Sequence, residues 1–67
     1  MKYEISIKDG YGNDMYLWRT FPYTQYVYDE SVALHMSINI TKKYSARLME
    51  SGISHTIKQV TENDVQS

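Results

Sequence analysis

Sixty-seven residues, 42% of them apolar, make one folded domain and no more. The chain has no cysteine, which excludes disulfides and thiolate zinc sites. Seven basic against eight acidic residues leave a net charge of −1, which argues against a protein held to nucleic acid by phosphate contacts and equally against an acidic mimic of DNA.

A domain this small buries only about 60% of the surface its unfolded chain exposes. Self-association is the remaining way to enlarge the core, so a homodimer is expected. The two histidines, His35 and His55, stand twenty residues apart and lack the close ligand spacing of a zinc module. The opening Met1-Lys2-Tyr3-Glu4-Ile5 has no apolar leader, and no run approaches the roughly 20 apolar residues of a membrane span. A cytoplasmic protein without a cofactor is expected.

Residues 2–8 alternate, with Tyr3, Ile5 and Ile7 on one face and Lys2, Glu4, Ser6 and Lys8 on the other, the period of a half-buried strand. Asp9-Gly10-Tyr11-Gly12-Asn13-Asp14 supplies hairpin-turn chemistry. It lacks the residue order and terminal Glu of a calcium loop, and it opens no helix as a phosphate loop does. Residues 15–20 form the second strand, Tyr16, Trp18 and Thr20 opposing Met15, Leu17 and Arg19. Phe21-Pro22-Tyr23-Thr24 breaks the pattern, and residues 25–28 return as a short extended piece.

Val32, Leu34, Met36, Ile38 and Ile40 are apolar at every second position, which predicts a strand over 32–40; Asp29-Glu30-Ser31 offers the alternative of capping a short helix over 30–36. Thr41 reads as the N-cap of a helix running to Glu50, with Tyr44, Leu48 and Gly52 on one stripe and Gly52 closing it. Residues 53–60 are rich in Ile, Thr and Val and read as a final strand, although the spacing 53, 57, 60 also suits a helix. Residues 61–67 are polar and expected to fray. The sum is an α+β domain over 1–60: a small antiparallel sheet of three to four strands with one helix packed on one face, in the order hairpin, strand, helix, strand.

The Met1-Lys2-Tyr3 opening, Trp18-Arg19-Thr20, Pro22-Tyr23-Thr24 followed by Tyr26-Val27, and Thr41-Lys42-Lys43 resemble features of very short proteins encoded by phages and prophages of Gram-positive bacteria. The likeness covers most of residues 1–60. Those with known roles commonly block host enzymes or defence systems, by binding a protein or sequestering a small signal. The resemblance implies an inhibitor acting in the host cytoplasm, and it carries over no functional residues. Helices of such proteins often place Glu three positions after the capping Thr; Tyr44 stands there in this chain.

Six aromatics, Tyr16, Trp18, Phe21, Tyr23, Tyr26 and Tyr28, fall within thirteen residues. A thin core cannot enclose them all. Tyr and Trp beside an Arg are the residue types of binding hot spots. The expected binding surface comprises Tyr16, Trp18, Arg19, Tyr23, Tyr26 and Tyr28, with a host protein as partner. Tyrosines capping a small core, ring inside and hydroxyl in water, are the structural alternative. Aromatic walls with Arg19 or Lys42 also allow a signalling nucleotide held in a dimer cleft. Stacking of single-stranded nucleic acid on these aromatics is a further alternative, with only Arg19 near the cluster toward the basic groove it needs. Lys42, Lys43, Arg47 and Lys58 make a modest basic strip that a solvated helix face explains. No nucleophile with a neighbouring base is evident beside His35 or His55, so no enzymatic activity is expected.

Overall fold

A computed structural model of the chain describes residues 1–60. The expected fraying of 61–67 lies outside those residues. Strands β1 (Lys2–Lys8) and β2 (Asp14–Arg19) form the hairpin. Its turn is organised by Asp9, whose carboxylate accepts from the backbone N–H of Tyr11 at 2.8 Å and of Asn13 at 2.9 Å, while Gly12 takes a φ of 87° that a side chain disfavours. Strand β3 (Gln25–Val27) pairs with β2 across a register shift between Leu17 and Arg19. Strand β4 (His55–Val60) pairs with β1 over six positions, with Ile5 opposite Ile57. The sheet is antiparallel throughout, in the order β3-β2-β1-β4, and helix α1 (Ile38–Glu50) packs against β1 and β4. The domain is therefore α+β, with one helix on a four-stranded sheet. No helix among the described residues is long and apolar enough to cross a membrane.

The strand expected over 32–40 does not form as one element. A single 3₁₀ turn, Glu30–Val32, comes first, capped by the Asp29 carboxylate on the Ser31 N–H at 3.0 Å. Residues 33–36 are extended and act as a wedge. The β1–β2 ladder is limited to Ser6–Tyr16, Ile7–Met15 and Lys8–Asp14. Beyond it the wedge joins both strands: Leu34 N–H donates to the Leu17 carbonyl, and Met36 exchanges two bonds with Tyr3, each at 2.8 Å. The alternation of Leu34 and Met36 is thus real strand chemistry, but it ends at Ser37.

Ser37, not Thr41, caps α1, its hydroxyl accepting from the Ile40 N–H at 3.4 Å. Thr41 lies one turn inside the helix, fully buried, and its Oγ1 donates to the Ser37 carbonyl at 2.8 Å. Ile38 and Ile40 consequently belong to the first helical turn and are exposed. The helix closes as expected. Gly52 sits at φ 73°, its N–H donating to Met49 O at 3.0 Å, and Ile53 N–H donates to Leu48 O at 2.9 Å, the paired bonds of a Schellman motif. The core between helix and sheet is Ile5, Leu17 and Met36, with Tyr26, Leu34, Tyr44 and Leu48 packed around it. Burying each large apolar side chain contributes about 1.5–3 kcal/mol.

Candidate functional site

Along β2, Leu17 turns into the core and Tyr16 takes the face away from the helix, while Trp18, half-buried like Tyr16, stands at the register shift. The Arg19 guanidinium lies 4.0 Å from the centre of the Trp18 ring, a cation–π stack. The Phe21-Pro22-Tyr23 bend then projects outward, with Phe21 84% and Tyr23 64% exposed. Tyr28 is 62% exposed, but its hydroxyl is anchored, donating to Asp9 Oδ2 at 2.8 Å. Asp9 is held down to about 2, chiefly by the Asn13 N–H and further by Tyr11 and Tyr28. The bond to Asp9 also raises the Tyr28 phenol.

The six residues expected to form one surface are therefore divided. Tyr26 sits opposite Leu17 and packs against the core on the helix side, where burial raises its phenol. Trp18 and Arg19 are stacked together, and the exposed Tyr23 follows four residues on, with the exposed Phe21 between them. The exposure of Phe21 was not part of the expected set; its position before Pro22, where no strand can enclose it, was the available signal.

Under Tyr16 the same sheet face carries a charged cluster that nothing in the sequence marked. Glu4 is only 3% exposed, with Oε1 3.6 Å from His35 Nε2 and no hydrogen-bond partner for Oε2 among the described residues. Desolvation, then the adjacent Glu30 carboxyl, push Glu4 above its ordinary range. Glu30 is held below its own range by Lys58, 2.8 Å away, and by a hydrogen bond with Glu4. The acidities of the two carboxyls are therefore pushed apart, burial weakening that of Glu4 and Lys58 strengthening that of Glu30. Burial foremost, with nearby Glu30, Asp14 and Glu4, raises the Tyr16 phenol.

His55 lies on the other side of the sheet. Its Nε2 is 2.6 Å from Ser45 Oγ, and its Nδ1 is 3.2 Å from the Ile53 carbonyl. A proton on Nδ1 satisfies the carbonyl and leaves Nε2 to accept from the serine. A hydroxyl–imidazole pair thus exists, tying α1 to β4; the sequence hid it because its members flank the Gly52 reversal. His35 does not join it. The basic strip is also divided: Lys42, Lys43 and Arg47 stay on the helix, whereas Lys58 bridges to Glu30 on the opposite face.

In comparisons with protein-family models, curated proteins and solved structures, nothing matches the chain.

Proposed function

We propose that the chain is a small binding protein whose contact surface is the aromatic rim formed by Trp18, Arg19, Phe21 and Tyr23. The carrying observation is that Phe21 and Tyr23 project from the bend at 84% and 64% exposure, next to an arginine already ordered on a tryptophan. Rigid aromatic groups with few torsions to freeze lose little entropy on docking and fill partner pockets well. The resemblance to short phage and prophage proteins supports a host protein as the partner, with inhibition or modulation as the outcome.

The test compares the wild-type chain with a Phe21→Ala/Tyr23→Ala variant as bait in lysate of a Gram-positive host. A protein retained by the wild type and lost by the variant, with circular dichroism and thermal midpoint unchanged, supports the reading. A retained protein that binds both chains equally removes the rim as the contact surface.

A further inference from the structure

The sheet has two edges, and they differ. Strand β3 is three residues long and borders the register shift of β2, features that discourage pairing with another chain. Strand β4 spans six residues in unbroken register with β1, has no proline, and pairs with nothing on its outer side among the described residues. We propose that this edge joins a second copy of the chain, strand β4 against strand β4, making one eight-stranded antiparallel sheet with both helices on the same face.

The register follows from which backbone groups face outward. Tyr3 uses its N–H and carbonyl on Met36, on the side away from β4, so the Tyr3–Gln59 pair exchanges no bonds. Alternation extends this to Ile5–Ile57 and Ile7–His55. The N–H and carbonyl groups of His55, Ile57 and Gln59 therefore point to the open edge, while Thr56 and Lys58 bond to β1. Opposed residues in an antiparallel pair share a face, so a two-fold axis must fall on a residue. Centred on Ile57, it sets Ile57 against itself, His55 against Gln59 and Thr56 against Lys58, giving about six backbone hydrogen bonds. Centred on Lys58, it would set two ammonium groups opposite each other. Centred on Thr56, it would leave only the first three residues of each strand in register.

The side chains agree with the Ile57 register. Ile57 is 41% exposed at the edge, and Met49 and Ile53 line a shallow depression with His55 beside it. No like charges oppose one another. The aromatic rim belongs to the β2–β3 side, so the dimer carries one rim at each far end and leaves both open.

Sedimentation of the full chain at micromolar concentration should give twice the 7.9 kDa chain mass. Ile57→Pro removes an outward N–H and blocks the edge without touching the β1 ladder, so a folded species at the single-chain mass is expected. Ile57→Lys, which puts like charges on the axis, should also halve the mass and keeps the test sound if the proline variant unfolds. Oxidising a mixture of Thr56→Cys and Lys58→Cys chains should yield a covalent heterodimer that neither gives alone, because facing positions fall within disulfide reach and identical ones do not. A wild-type chain at 7.9 kDa overturns the proposal, as does a folded dimer that survives both Ile57 variants or a mixture that forms no heterodimer. None of these readings depends on the aromatic rim or its partner.

Discussion

Glu4→Gln should make the protein more stable at neutral pH. Glu4 is buried between His35, Glu30 and Lys58 with one oxygen lacking a donor, and its acidity is weakened mainly by loss of water. Its folded pKa is raised, so the favourable contribution of its protonated form is complete below the unfolded value and is lost as pH rises through the folded value. At pH 8 the wild type must either ionise a dry carboxyl beside another carboxylate or hold its proton at a cost. Glutamine keeps the shape, carries no charge, and offers an amide donor toward Glu30. The gain is on the order of 1 kcal/mol, the scale of satisfying one buried polar atom. For a domain of this size that is about 4–8 °C in thermal midpoint. The assay is thermal unfolding of both chains across pH 4 to 8. The difference should be largest at pH 8 and shrink toward zero at pH 4, where Glu4 is protonated in both states. A variant less stable than wild type at pH 8 would refute the reasoning and show that the ionised Glu4 carboxylate is itself stabilising.

Three further outcomes are expected. Leu17→Ala, at a side chain 1% exposed, should cost about 2–5 kcal/mol in denaturant unfolding, a large share of the roughly 3–10 kcal/mol such a chain possesses. Gly52→Ala should cost about 1–2 kcal/mol by the same measure; a Cβ there meets open space, so the penalty is the positive φ alone, and Gly52→Asn should recover part of it. The Asp9 carboxyl, followed by NMR, should titrate near 2, and the stability it confers should be complete above its unfolded value near 3.8 and vanish as pH falls through 2.

Local chemistry made most of the fold readable. The alternation of residues 2–8, the Asp9-to-Asp14 turn, the proline bend and Gly52 each act over a few residues, and each marks an element boundary in the structure. Residues 32–40 were not readable in the same way. Ser37 and Thr41 are both capping residues four apart, and the choice between them is made by tertiary packing, which buries Thr41 against the sheet and gives its hydroxyl the Ser37 carbonyl. The exposed part of the aromatic surface was legible in the excess of rings over core volume. The loss of Tyr26 to the core was not, because its partner across the sheet, Leu17, is set by the register of β2 on β3. Glu4–Glu30 and Ser45–His55 are pairings made by topology, and spacing along the chain gives no hint of either.

The wedge of residues 33–36 has a consequence for how the chain reaches this state. Extending the Ser6–Tyr16 register by one step would set Ile5 directly against Leu17. Tyr3 and Leu17 instead reserve backbone groups for a segment that arrives after the second turn and the third strand. A hairpin zipped past Ser6–Tyr16 would claim the backbone groups that Leu34 and Met36 use in the native arrangement. The domain accordingly has no self-sufficient first half: residues 1–32 alone lack the strand that completes their own sheet, and cooperativity between the two ends of the chain is built into its hydrogen bonds.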